Sequence, residues 1–351
     1  MGVAVLFFGF LIFSHELGHF SFAKLFRVRV NEFAMGMGPA IFKFGKKETK
    51  YAVRALPFGG SVLMEGENGD SEDPRAFNQK PKWQRFLILF GGAAVNLLCG
   101  LLIMAVILSQ QDLIGTNRIH SFDENAVSQA NGLQAGDVIY KIGGKRVISS
   151  SDLGFLLSRS ADGVVDLVVI RDGKKLALDQ FPFQTEPGEG GRNWIVRDFV
   201  LVGVKPTFSS VVSHTVLESA SLARMVWLSL LDMVTGHFKL SEISGPVGVV
   251  NLIQSQANVA AQSDTPKETH EAFLNLLYLF SLISINIGVM NLLPVPALDG
   301  GRLFFLLVEM IVRRPIPKKL EAWVHGVGLL LLLSFMVVIT FSDIWGWAHG
   351  K

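Results

Sequence analysis

The sequence contains few of the residues on which soluble and secreted proteins depend. Cys99 is the only cysteine in 351 residues, which excludes a disulfide framework and predicts a small buried hydrophobic side chain. Charged residues make up 18% of the chain, and the net charge of +2 is too small to indicate a nucleic-acid partner. Because 50% of the residues are hydrophobic and the mean hydropathy is +0.40, the composition predicts a protein that crosses a lipid bilayer several times.

Four stretches without charge, or nearly so, predict the transmembrane helices. They cover residues 2–25, 86–111, 272–293 and 323–341. No basic segment precedes the first stretch, so it predicts a retained helix rather than a cleavable signal peptide. The predicted fold class is an α-helical multi-pass membrane protein, whose membrane core is divided between residues 1–112 and 241–351.

Two segments between these halves differ from them in character. In residues 115–205, Gly, Asp and Asn separate short β-branched runs, and Asp172-Gly173 predicts a hairpin turn. This pattern indicates a soluble, mostly β domain, which is suited to bind an extended peptide by strand addition. Residues 207–240 are apolar but interrupted by charged side chains, which favours an interfacial or elbow helix over a span.

A smaller β element is predicted after the first span. Residues 51–64 read as a short strand, a Pro-Gly-Gly turn that ends in Gly59 and Gly60, and a second strand. Such apolar strands beside a membrane helix predict a β-hairpin that dips toward the bilayer. Backbone at that depth must be covered by protein or must line a cavity.

The first span contains the sequence His15-Glu16-Leu17-Gly18-His19. Residues four apart share one face of a helix, so His15 and His19 can bind one metal ion, and Glu16 is placed to activate a water molecule. A three-position motif arises by chance in roughly a few per cent of chains of this length. However, each polar residue in a spanning helix costs about 2.5–3.5 kcal/mol, so three within five positions indicate a use.

Asp299 is the best candidate for a third metal ligand. The third span breaks in a segment with two prolines and a Gly-Gly pair, where freed backbone groups must find local partners. Taken alone, Asp299 reads as a helix cap or a turn residue. A catalytic zinc usually takes three protein ligands, and Asp299 falls on the same side of the membrane as His15 and His19.

Three asparagines and two glycines complete the predicted site. Asn286 and Asn291 are candidates to stabilise an oxyanion or to hold the substrate backbone, although either also suits a bond to the unwound chain. Asn96 follows a small-residue stretch, and helix packing and a site role are equally favoured for it. The predicted substrate-supporting or transition-state residues are Asn96, Asn286, Asn291, Gly59 and Gly60. His325 lies in the last predicted span, which holds no carboxylate, so it is predicted to be a satisfied packing residue rather than a metal ligand.

The distribution of basic residues predicts the orientation. Residues 24–85 hold 12 Lys and Arg against 7 Asp and Glu, and a second basic cluster precedes the last span. The positive-inside rule places both loops in the cytoplasm. The two termini and the β domain are then extracytoplasmic, and the metal motif lies toward the cytoplasmic half of the membrane.

Three ordered motifs, at residues 13–20, 92–96 and 291–300, resemble the bacterial site-2 protease family, and most closely its regulator-of-sigma-E (RseP) type. Residues 131–139 resemble the start of the PDZ domain that this family inserts between its second and third spans. Residues 51–64 resemble the family's β-hairpin or β-loop, which is thought to receive the substrate. Only one PDZ-like segment is found, whereas the best-known Gram-negative members carry two in tandem.

The resemblance implies an intramembrane zinc endopeptidase of the bacterial inner membrane. It assigns the Zn²⁺ ligands to His15, His19 and Asp299 and the general base to Glu16. It also implies single-span membrane proteins as substrates, such as anti-sigma factors or remnant signal peptides, with the PDZ domain in contact with the substrate or its extracytoplasmic remnant.

Two hypotheses from other functional classes compete with the zinc endopeptidase. The first is a membrane-tethered PDZ scaffold that binds peptides without proteolysis. The second is a metal sensor or transporter, which would repeat metal-ligand clusters along several spans. The sequence shows a single cluster, so we rank the sensor or transporter last.

Overall fold

The structure is a computed structural model that describes residues 2–45, 48–67, 69–160, 162–187, 193–235, 245–262 and 265–348. The helices are α1 Gly2–Leu25, α2 Lys82–Gln110, α3 Val127–Ala130, α4 Ser150–Ser158, α5 Phe208–Val234, α6 Pro246–Gln262, α7 Pro266–Met290, α8 Asp299–Val312 and α9 Lys318–Ala348. The strands are β1 Val30–Phe44, β2 Lys50–Met64, β3 Ile114–Phe122, β4 Val138–Ile142, β5 Lys145–Arg146, β6 Val164–Arg171, β7 Lys174–Pro182, β8 Thr185–Pro187, β9 Asn193–Ile195 and β10 Phe199–Val204. They form two compact units: the first joins Met1–Ile103 with Leu230–Lys351, and the second is Met104–Ser229.

Four helices of the described chain are long and apolar enough to cross a membrane. They are α1, α2, α7 and most of α9, as residues Lys318–Trp345. The third of these helices begins earlier than the predicted span of residues 272–293, because α7 starts at Pro266. The Thr265 side chain accepts a hydrogen bond from the Glu268 amide, and proline at the first helical position has no amide that needs a partner.

The predicted hairpin within residues 51–64 is wrong. These residues belong to β2, which pairs with β1, a strand contributed by the preceding segment. Phe33 of β1 lies opposite both Val62 and Tyr51, and Tyr51 also lies opposite Phe44. The first half of β1 therefore separates the two runs that were predicted to pair with each other.

Gly36 allows β1 to turn, so that both halves of this strand pair with β2. Gly36 adopts φ +85, and a Cβ there would lie 2.4 Å from the Leu56 carbonyl oxygen. The sheet packs on α1 through Phe33, whose ring meets Phe20 at 5.3 Å and Phe13 at 6.0 Å in edge-on contacts. The far end of the sheet exposes apolar side chains, among them Met37, Ile41, Phe42, Phe44, Val53 and Leu56.

Small and polar residues join the helices of the first unit. A Cβ at Gly18 of α1 would lie 2.2 Å from the Gly91 carbonyl oxygen of α2, so only glycine permits this crossing. Asn96 is fully buried, and its side-chain oxygen accepts a bond from Ser14 at 2.9 Å. Ser284 of α7 donates to the Asn96 backbone oxygen at 2.7 Å. Hydrogen bonds across helices therefore supplement apolar packing in this core.

The second unit is a β-rich domain built on a sheet of order β10-β3-β4-β6-β7, with β5 paired to β4. Its core includes Ile139, Leu167 and Val169, which are at most 1% exposed. The start of α4 is fixed by a capping box between Ser149 and Asp152. Within this unit, a charged side chain of α5 has an ionic partner, because Arg224 pairs with Asp152 at 2.6 Å. Residues 236–240 of the predicted elbow segment lie outside the described residues.

Candidate metal centre

Three potential ligand atoms converge at the middle of the first unit. His15 Nε2 lies 3.2 Å from His19 Nε2 and 3.0 Å from Asp299 Oδ2, and His19 Nε2 lies 3.1 Å from the same oxygen. The two histidines are one helical turn apart on α1, which places both rings on one face. Asp299 is the first residue of α8, so sequence positions 280 residues apart meet at one point.

The orientation of His19 suits metal binding. Its Nδ1–H donates to the Ile88 carbonyl oxygen of α2 at 2.8 Å, which leaves the Nε2 lone pair directed at the other two ligand atoms. His19 is 7% exposed, so this backbone bond holds a side chain that is almost fully enclosed. A second bond of this kind is how metal-binding histidines are usually fixed in one tautomer.

Glycines let two neighbouring elements approach the motif closely. A Cβ at Gly92 of α2 would lie 2.4 Å from His19 Nε2 and 2.7 Å from His15 Cε1. A Cβ at Gly60 of β2 would lie 2.6 Å from Glu16 Cγ. Any larger residue at either position would occupy space that the imidazoles or the glutamate now fill.

Asp299 reaches the histidines because the chain turns sharply between α7 and α8. The Gly300 amide donates to the Asn291 carbonyl oxygen at 2.7 Å, which closes the turn. A Cβ at Gly300 would lie 2.0 Å from the Leu293 carbonyl oxygen, so this approach requires glycine. Helix α8 was not predicted from the sequence; it begins at Asp299, three residues after the second proline of the turn.

The three ligand atoms fit a tetrahedral zinc ion. Ligand bonds of about 2.0–2.1 Å in that geometry separate the ligand atoms by about 3.3 Å, within a few tenths of an ångström of the distances here. With Nδ1 of His19 engaged as a donor, two imidazole nitrogens and a carboxylate oxygen turn their lone pairs to one point. Such a cluster of acceptors is stabilised by a cation, and imidazole and carboxylate are ligands that zinc accepts.

The model of peptidase family M50, the site-2 protease family, matches residues 3–335 of the sequence. The chain belongs to peptidase family M50. A Clostridium acetobutylicum protein named as a zinc metalloprotease is 33% identical over 97% of this chain and 96% of its own length. A Clostridium perfringens protein with the same description is 35% identical over 97% of both chains. The regulator of sigma-W protease RasP of Bacillus subtilis is 27% identical over 97% of both chains.

The family confirms two predictions from the sequence. The chain is a zinc metalloprotease of the site-2 protease type, and its cofactor is Zn²⁺. The four apolar helices agree with a membrane protein. The ligand atoms of His15, His19 and Asp299 are the group that could hold a metal ion in the described part of the chain.

The M50 peptidase has a cavity of about 440 Å³ at these residues. Its lining includes His15, Glu16, His19, Asp299 and the residues from Gly60 to Met64. Among the described residues, the lining does not include four predicted substrate-supporting positions: Gly59, Asn96, Asn286 and Asn291. Asn286 is exposed on α7, Asn291 ends that helix, and Asn96 bonds within the helix core, where packing accounts for it.

Three further polar side chains line the cavity and were not predicted. Glu67 and Arg302 form an ion pair at its wall, and His325 lies beside Ala297. The Nδ1 atom of His325 accepts a hydrogen bond from the Ala297 amide at 3.0 Å, and its ring packs on Phe305, so this side chain has both a polar partner and an apolar contact. The signal for His325 was its position as a polar residue within a predicted span, where such residues are costly.

Proposed function

We propose that this M50 peptidase is an intramembrane endopeptidase that cleaves single-span membrane proteins within or near their transmembrane segment. The observation that carries this proposal is the position of the metal centre. Two of its ligands lie on α1, a helix with the length and composition of a membrane span, and Asp299 is brought to them by the turn after α7, another such helix. A substrate bond cut at this centre must reach the depth of those helices.

The side chains at the centre divide the chemistry between them. His15, His19 and Asp299 would hold Zn²⁺, whose contribution when bound is Lewis acidity that lowers the pKa of water toward about 7. Glu16 lies beside the ligands and lines the same cavity. Its carboxylate accepts a proton from the attacking water and returns it to the amide nitrogen that leaves.

The strand from Gly60 to Met64 supports the way in which a substrate would be held. In the described chain, every pairing partner of residues 60–64 lies in β1, on one side of the strand, and the same residues line the cavity. An extended substrate segment can add to their other side by backbone hydrogen bonds. This requires local unwinding of a substrate helix, whose amides and carbonyls are otherwise bonded to each other.

We assign the site to the cytoplasmic half of the bacterial inner membrane, with the β-rich unit and both termini extracytoplasmic. The support is the excess of Lys and Arg in residues 24–85 and before the last span. We further assign a PDZ fold to the β-rich unit, supported by residues 131–139 and by a five-stranded path with α4 packed against β3 and β4. Such a unit would contact the substrate or its extracytoplasmic remnant.

The decisive experiment compares Glu16→Gln with Glu124→Gln, an exposed glutamate of the β-rich unit, in vesicles that contain a single-span substrate. Glu16→Gln should abolish cleavage without loss of bound zinc, because Glu16 is not a ligand. Glu124→Gln should cleave like the parent protein. Undiminished cleavage by Glu16→Gln would overturn the proposal. If deletion of residues 118–205 alone then destroyed function, the result would favour the peptide-binding scaffold instead.

A further inference from the structure

We infer that His325 is a positioning residue that holds Asp299 at the metal centre through the backbone of Ala297. This inference rests on the proposed role of Asp299 as a ligand. His325 lies on α9, 28 residues after Ala297, and it accepts the Ala297 amide hydrogen bond at 3.0 Å between nitrogen atoms. Asp299 follows Ala297 with only Leu298 between them, so a shift of the Ala297 backbone also moves the ligand.

The backbone at Ala297 needs such support. Its φ is +77, in the left-handed region that residues with a Cβ adopt at a cost in free energy. Strained positions of this kind persist where the surrounding structure holds them. The hydrogen bond to His325 is a contact from outside the turn that fixes the amide of the strained residue itself.

Helix α9 contacts the same turn at a second point one helical turn away. A Cβ at Gly328 would lie 2.3 Å from Pro296 Cβ, which shows how closely the helix approaches. His325 and Gly328 are three residues apart and so share one face of α9. Only 6% of the apolar window of this helix is buried, so this face makes one of its few close contacts with the protein.

The geometry separates positioning from direct ligation. His325 lines the cavity, but its Nδ1 is occupied by the Ala297 amide. The group of ligand atoms within 4.8 Å of one another contains His15, His19 and Asp299, and in the described chain His325 is not part of it. His325 therefore acts on the metal through Asp299 and not as a fourth ligand.

The test measures zinc affinity of the full-length protein by competition with a chromogenic chelator, which needs no proteolytic activity. His325→Gln removes the acceptor from the Nδ1 position, whereas His325→Asn keeps an oxygen close to it. We expect His325→Gln to lose about tenfold or more in zinc affinity, as is usual when the support of a metal ligand is removed. His325→Asn should stay within about threefold of the parent protein on the same reasoning. Equal affinity of both variants would overturn the inference.

A second arm uses the strained residue. Since glycine adopts φ +77 without strain, Ala297→Gly should restore most of the affinity that His325→Gln loses. The absence of any recovery would contradict a role through Ala297. Asp299→Asn separates the proposed ligand role of Asp299 from the inferred positioning role of His325. If it leaves zinc affinity unchanged, the proposed ligand set is wrong; if it lowers affinity while His325→Gln does not, only the inference about His325 is wrong.

Discussion

Gly92 is the position where the smallest change in sequence should disturb the metal centre most. In Gly92→Ala the new methyl group would lie 2.4 Å from His19 Nε2 and 2.7 Å from His15 Cε1. An ordinary contact begins at 3.4 Å, so an imidazole or the α2 backbone must move by about 1 Å. Overpacking of this kind costs about 1–3 kcal/mol. If that cost falls on the ligands, zinc affinity drops about 5- to 150-fold.

The matched control for this prediction is Gly100→Ala on the same helix. There the added methyl would lie 2.5 Å from Ile285 Cγ1, a comparable overlap that is remote from the ligands. Both variants should lower the midpoint of thermal unfolding, but only Gly92→Ala should lower zinc affinity in a chelator competition. Parent zinc affinity in both variants, together with a similar loss of stability, would contradict this prediction.

Three other predictions test separate parts of the structure. Gly60→Ala would place a methyl group 2.6 Å from Glu16 Cγ, so kcat should fall at least about tenfold while the zinc content stays unchanged. An unaltered kcat would contradict the close packing of β2 against Glu16. Removing zinc should lower Tm, and free zinc at 100 times its Kd should add about 2.7 kcal/mol to the free energy of unfolding. A Tm that does not change with zinc would argue against ligands that are assembled only in the folded state. Asp152→Ala should destabilise the β-rich unit by about 3–5 kcal/mol in denaturant titration, because it removes the buried carboxylate that pairs with Arg224. A loss below about 1 kcal/mol would show that the pair is dispensable.

The candidate metal centre is built from residues of both halves of the predicted membrane core. Helix α1 presents His15 and His19 on one face, and α2 both accepts a hydrogen bond from His19 and leaves room for it at Gly92. The turn between α7 and α8 places Asp299 beside these two histidines. Substitutions on α2 that overpack the helix far from His15 and His19 should therefore lower the stability of the protein and leave its zinc affinity largely unchanged.

The parts of this site that the sequence predicted are those encoded by local periodicity. Spacing along one helix suffices to pair His15 with His19, and the prolines and glycines near Asp299 mark a break whatever the fold around it. Long uncharged runs likewise indicate the four apolar helices, although α7 begins earlier than predicted. These patterns involve residues close together in the sequence, so they can be recognised without knowledge of tertiary contacts.

The parts that the sequence did not predict depend on partners distant in the chain. The pairing of β2 was assigned wrongly because its neighbour is β1, which separates the two predicted strands, and alternation within 51–64 contains no information about that strand. The bond between His325 and Ala297 joins a side chain to a backbone amide, so no complementary residue type marks it. Gly92 resembles any small residue at a helix crossing until the histidines behind it are located.

The position of the bond that is cut distinguishes proteolysis inside the membrane from proteolysis outside it. A purified single-span substrate would be reconstituted in vesicles with the parent protein or Glu16→Gln, and the products identified by mass spectrometry. We expect new termini within or beside the apolar segment of the substrate, and we expect them to be absent with Glu16→Gln and with chelator. Cleavage confined to a loop well outside the membrane, or identical products from Glu16→Gln, would contradict it.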